Sequence, residues 1–82
     1  EQNYPNPFNP VTRIEYALPR AGSVSLRVYN VTGALVATLV DESQSAGRYT
    51  VEFDGSSLAS GIYWYRLQTE QQTLTQKMLL TK

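Results

Sequence analysis

The chain has no cysteine and no histidine among its 82 residues. Those two absences remove disulfide staples, thiol nucleophiles, the usual zinc ligands and the commonest general base. A domain without staples is held by its core and its backbone ladders alone. An excess of charge of either sign is missing too, because seven Lys plus Arg balance seven Asp plus Glu. With no net field, nucleic acid and anionic membrane surfaces are not expected partners. No apolar run approaches the roughly 20 residues of a membrane-spanning helix, and no signal-peptide pattern is legible. Ser56, Ser57 and Ser60 lack a histidine partner and suit turns through backbone hydrogen bonding, so no catalytic residue is assigned. Asp41, Glu42 and Asp54 match no calcium-loop template and read as solvated turn acids. The expectation is a non-enzyme with no metal and no cofactor.

What is present is a succession of short alternating runs. Three of the four prolines fall in Asn3-Tyr4-Pro5-Asn6-Pro7-Phe8-Asn9-Pro10, which fixes φ at three positions and pushes their predecessors to extended conformations. Residues 1–10 therefore form a stiff lead-in, read either as a linker or as a recognition element packing on the domain. Tyr4 and Phe8 favour the second, since a spacer has no need of two aromatics four residues apart. The domain proper spans 11–82. From Val11 to Leu18, Ile14, Tyr16 and Leu18 alternate with Arg13 and Glu15, as a half-buried strand requires. Val24, Leu26 and Val28 make a second strand, ended by Asn30-Val31-Thr32-Gly33, a turn closed by glycine in the left-handed region. Asn30-Val31-Thr32 is also formally a glycosylation acceptor.

The run Ala34 to Val40 is compatible with helix by composition. Flanking turn signals and short length favour a strand covered on both sides. Asp41 to Ser45 then reads as a polar connection. Tyr49, Val51 and Phe53 form a fourth strand, Ile62 to Leu67 an aromatic fifth, and Thr73 to Thr81 a sixth. Six or seven short strands with no helix of three turns predict an all-β, immunoglobulin-like antiparallel sandwich. The expected core comprises Ile14, Tyr16, Leu18, Val24, Leu26, Val28, Leu35, Leu39, Tyr49, Val51, Phe53, Leu58, Tyr63, Tyr65, Leu67, Met78 and Leu80. A chain this short buries only roughly 60–65% of its unfolded surface, so one layer pair is all it supports.

Two details carry more weight than the pattern. Gly61-Ile62-Tyr63 puts a tyrosine at the start of a strand just past a glycine, where a tyrosine corner bonds its hydroxyl back to upstream backbone. Gly47-Arg48-Tyr49 repeats the arrangement. Trp64, with Tyr29 and Arg66, has two placements open: an exposed platform for stacking on a sugar ring, or packing under the neighbouring sheet or a terminal segment. The size of the indole favours the second.

The proline motif, Val28-Tyr29-Asn30-Val31-Thr32-Gly33, Ala46-Gly47-x-Tyr49, Phe53-Asp54-Gly55, Leu58-Ala59-Ser60-Gly61-Ile62-Tyr63 and the closing Lys77-Met78-Leu79-Leu80 occur in one order across nearly the whole chain. Together they resemble the C-terminal sorting domain of the type IX (Por) secretion system, in its type A, immunoglobulin-like form, similar to the domain of flagellar hook-capping proteins. The resemblance implies a secretion address at the end of a larger exported protein of the Bacteroidetes or neighbouring phyla. It implies passage through the periplasm, recognition by the outer-membrane translocon, and in many members removal by a sortase that anchors the cargo at the cell surface. Glu1 would then mark the junction with an upstream cargo domain. The family's recurrent positions fall on Pro5, Asn6 and Pro7, on Lys77 and Lys82, and on Tyr29, Gly33, Gly47, Tyr49, Gly61 and Tyr63. The glycines and tyrosines are expected to build the fold. Pro5 to Pro7 and Lys77 are the better recognition candidates, because packing does not demand them. The alternative is an accessory module, carbohydrate-binding and attached to a glycoside hydrolase, that uses the Trp64 platform.

Overall fold

A computed structural model describes Gln2 and residues 4–82; Glu1 and Asn3, both invoked above, lie outside the described residues. Six strands follow in chain order: β1 (Val11–Leu18), β2 (Gly22–Asn30), β3 (Leu35–Gln44), β4 (Gly47–Asp54), β5 (Gly61–Thr69) and β6 (Thr73–Leu80). β1 and β4 make a two-stranded sheet, and β3-β2-β5-β6 a four-stranded one, with every strand pair antiparallel. The two sheets pack face to face as an immunoglobulin-like sandwich.

Alternation places the core. Ile14, Tyr16 and Leu18 of β1 and Phe53 of β4 meet Val24, Leu26 and Val28 of β2, Tyr63, Tyr65 and Leu67 of β5, and Met78 and Leu80 of β6. All of these belong to the expected core, since a period of two on a two-layer sheet leaves little choice of face. Leu39, Tyr49, Val51 and Leu58 pack against it while half-buried. One core member comes from outside the strands: Phe8, 1% exposed, tilts against Phe53 with ring centroids 6.0 Å apart. Thr12 is buried too, its hydroxyl donating to the Pro5 carbonyl at 2.8 Å.

The third strand departs from expectation in two ways. It continues through Asp41 to Gln44, where a polar connection was expected, pairing Asp41 with Ser25 and Glu42 with Val24. It is also not covered on both sides, since none of its residues is fully buried; it forms an edge of the large sheet, and Leu35, expected in the core, is 53% exposed. The cause is the pair of register shifts at Leu26/Arg27 and Val28/Tyr29, which change the phase of the apolar residues and leave none of β3 fully buried.

Both tyrosine corners form. Tyr63 donates its hydroxyl to the Ala59 carbonyl at 2.6 Å, and Tyr49 to the Ser45 carbonyl at 2.5 Å, each spanning four residues. Gly61 and Gly47 share φ = 150°, which allows the chain to swing into the strand two residues ahead of each ring. The β2–β3 hairpin closes on Gly33, whose amide donates to the Asn30 carbonyl at 3.0 Å. Asn30 Oδ1 accepts from Thr32 N, Thr32 Oγ1 and Ala34 N, so the amide of the formal acceptor triplet is built into the turn.

Candidate recognition surface

The proline segment docks on the fold at both of its ends. Tyr4 exchanges two backbone hydrogen bonds with Arg13 of β1, at 2.8 and 2.9 Å. Four residues on, the Phe8 amide donates to the Leu79 carbonyl, and the Thr81 amide donates to the Phe8 carbonyl, both at 2.9 Å. The segment therefore straps the edge of the small sheet to the β6 edge of the large one. A proline has no N–H to give, so Pro5 and Pro7 leave the pairing to Tyr4, Asn6 and Phe8.

Asn6 supplies the middle of the strap. Its Oδ1 accepts from the Leu79 amide at 2.9 Å, and its Nδ2 donates to the Lys77 carbonyl at 3.3 Å. Gln2 Nε2 donates to the same carbonyl at 2.9 Å. The side-chain amide thus mimics one residue of a paired strand. Asn6 itself is held by hydrogen bonds on an exposed seam. Below this seam Gly55 is buried, its amide donating to the Pro10 carbonyl at 2.8 Å. A Cβ there would stand 3.1 Å from Leu80 and 3.5 Å from Phe8, a close approach that keeps the seam tight.

Pro5, Asn6, Pro7 and Lys77 are thereby brought to one surface, with the two prolines and Lys77 exposed. Lys82 stands elsewhere. Its Nζ donates to the Ser56 carbonyl at 2.6 Å and its amide to Ser60 Oγ at 3.1 Å, fastening the terminus to the β4–β5 connection. Tyr49 and Tyr63, with their glycines, serve the corners, and Gly33 serves the hairpin.

Trp64 does not pack under another element. It lies on the outer face of the large sheet, 38% exposed, paired in register with Tyr29 on one side and Lys77 on the other. The Arg66 guanidinium sits 5.3 Å from the centre of the Tyr29 ring. Packing under a sheet would require Trp64 to face inward, and the phase of β5 gives the inward positions to Tyr63, Tyr65 and Leu67.

Asp41 and Glu42 lie on β3, while Asp54 Oδ1 accepts from the Ser56 amide at 2.9 Å. Among the described residues no group of three acidic side chains is placed to share a metal ion. No helix among them is long and apolar enough to cross a membrane.

A family model for the secretion system C-terminal sorting domain matches residues 2–81. The chain belongs to that family. No curated protein and no solved structure matches it. A sorting domain of the type IX system is a signal for export, read by the secretion machinery, and its cargo is secreted or displayed at the cell surface. The matched residues include both the strap and the last strand.

Proposed function

We propose that this chain is the non-catalytic C-terminal address of a larger exported protein, read by the outer-membrane translocon at the surface where the strap meets β6. The observation that carries the reading is the Asn6 clamp, which holds Pro5 and Pro7 beside Lys77 although Asn6 and Lys77 are 71 positions apart in the chain. A folded patch assembled from both ends of the domain exists only when folding is complete, which suits a signal that must be presented by the native state. Pro5, Pro7 and Lys77 offer exposed surface to a partner, Asn6 sets their spacing, and Lys82 fixes the end of the chain beside Ser56. In this reading the precursor crosses the periplasm, a sortase separates domain from cargo, and the cargo stays at the surface of a member of the Bacteroidetes.

The test is a fluorescent reporter carrying a signal peptide and ending in this chain, expressed in a type IX-competent cell. Export past the outer membrane is expected, with the Pro7→Ala, Lys77→Ala double variant folded yet retained. Periplasmic retention of the intact fusion would sink the proposal.

A second reading, an accessory carbohydrate-binding module, is favoured by one observation. Trp64 lies partly exposed on the outer face of the large sheet, next to Tyr29 and two residues from Arg66, instead of inside the sandwich.

A further inference from the structure

The outer face of the large sheet carries its charge unevenly. Arg27 and Arg66 are direct register partners across β2 and β5, and Lys77 lies opposite Trp64 on β6. Of the acidic side chains, Asp41 comes nearest, paired with Ser25 one row along the sheet from Arg27, and none lines the groove at Trp64. Glu15 and Glu52 are on the strands of the small sheet, and Asp41, Glu42 and Glu70 surround a separate depression near Ser23 and Ser25. In a chain of zero net charge, this segregation leaves a cationic, aromatic region around Trp64.

That region is concave. A groove of about 440 Å³ runs between the β2–β3 hairpin tip and β5, lined by Tyr29, Asn30, Val31, Gly33, Trp64, Arg66 and Thr75, with no carboxylate among them. Two of its features bear on a ligand. The Arg66 guanidinium rests against the Tyr29 ring, a cation–π contact that fixes its plane and reduces the ordering cost of binding. Its fork of N–H donors matches a carboxylate or phosphate in two-point fashion. Trp64, the chain's one tryptophan, leaves indole surface in solvent within the same groove.

We propose that this groove binds an acidic glycan, with a pyranose ring stacked on Trp64 and a ring carboxylate or phosphate held by Arg66, with Arg27 adding attraction from the neighbouring strand. The apolar face of a sugar ring suits the indole, and the anionic substituent supplies the charge that the groove lacks. An acidic protein segment would meet the same cations. It has no use for the exposed indole face, and the chemistry of ring plus anion accounts for both Trp64 and Arg66 in the groove. The inference deepens the second reading above and rests on it; it is independent of the sorting role.

The test uses the 82-residue chain and the fluorescence of Trp64, titrated with hexagalacturonate, with neutral cellohexaose and with hexa-aspartate. Saturable quenching by hexagalacturonate is expected at low salt, weakening as salt screens the charge. Arg66→Gln should lower the affinity roughly tenfold while leaving indole and fold in place. Trp64→Ala, followed by calorimetry because it removes the fluorophore, should abolish binding with little change in melting temperature. If cellohexaose binds as tightly, the groove is a neutral-sugar site: the carbohydrate reading stands and the acidic ligand is wrong. If hexa-aspartate binds as tightly as hexagalacturonate, the face is a general polyanion or protein surface and the proposal falls. If no probe binds at millimolar concentration, both the proposal and the carbohydrate reading fall, while export of the reporter is untouched.

Discussion

The large sheet ends in two edges that are treated differently. At β6, backbone groups from Lys77 to Thr81 are met by Gln2, Asn6 and Phe8 of the strap. At β3, ten residues from Leu35 to Gln44 have no strand partner on their outer side among the described residues. An open edge is a template for unwanted pairing, and covering it or deforming it are two known remedies. β6 is covered, and β3 is deformed by two register shifts and carries Asp41 and Glu42 in its second half. The difference teaches where the fold invests specificity: the edge at Lys77 and Leu79 is closed by a defined segment, whereas the other is only made unattractive.

The largest expected effect that would break this comparison lies at Phe8. Its ring is buried against Phe53 within the core cluster that also holds Leu80, so Phe8→Ala should cost about 3–5 kcal/mol, as large-to-small core changes do. Leu35→Ala on the open edge should stay within about 0.5 kcal/mol. Urea unfolding of both variants measures the contrast. Similar losses at the two positions would mean that the strap is no more part of the fold than the open edge.

A smaller effect is expected at Asn6, where only hydrogen bonds on an exposed seam are at stake. Asn6→Ala should cost about 1 kcal/mol, because water replaces the lost partners. Hydrogen exchange is the sharper measurement. The Leu79 amide, which now donates to Asn6 Oδ1, should exchange faster in the variant, and β3 amides paired to β2 should not change. Unchanged protection at Leu79 would show that the clamp does not cover the edge.

How much of this was legible beforehand depends on whether a feature is local. The inward faces of β1, β2, β5 and β6 follow from alternation, and the tyrosine corners follow from glycine two residues ahead of tyrosine, so both were readable. Phe8 was noticed as an aromatic without a spacer's reasons, but its burial depends on Leu80, at the opposite end of the chain. The Asn6 clamp is equally remote, pairing with Lys77 and Leu79. No periodicity encodes such a contact. β3 misled because an unbroken apolar run looks the same whether a strand is buried on both faces or bulged at an edge. Trp64 misled because residue size was weighed above strand phase, although Tyr63 and Tyr65 already fixed the phase as inward.

The last contrast concerns the far end of β3, where the open edge is tied to the small sheet. Tyr16 of β1 donates its hydroxyl to Gln44 Oε1 at 2.6 Å, and its ring stacks on Tyr49 at 5.3 Å. Burial raises the Tyr16 pKa above its ordinary 10.0, and the charges of Tyr49 and Glu42 push the same way; the proton donated to Gln44 belongs to the same neutral form. A raised pKa in the fold means that the neutral hydroxyl is the form the native state prefers. Its contribution is therefore fully present below about pH 10, where the unfolded tyrosine is also neutral. It is lost as pH rises through the folded value, because the unfolded chain ionises first. Tyr16→Phe should be slightly less stable at neutral pH, by about 1 kcal/mol, and should lose stability less steeply above about pH 10. Melting temperatures of the two proteins across that range should converge as pH rises. Parallel curves would show that the tie to Gln44 leaves the hydroxyl as free as a solvated one, and that β3 is open along its whole length.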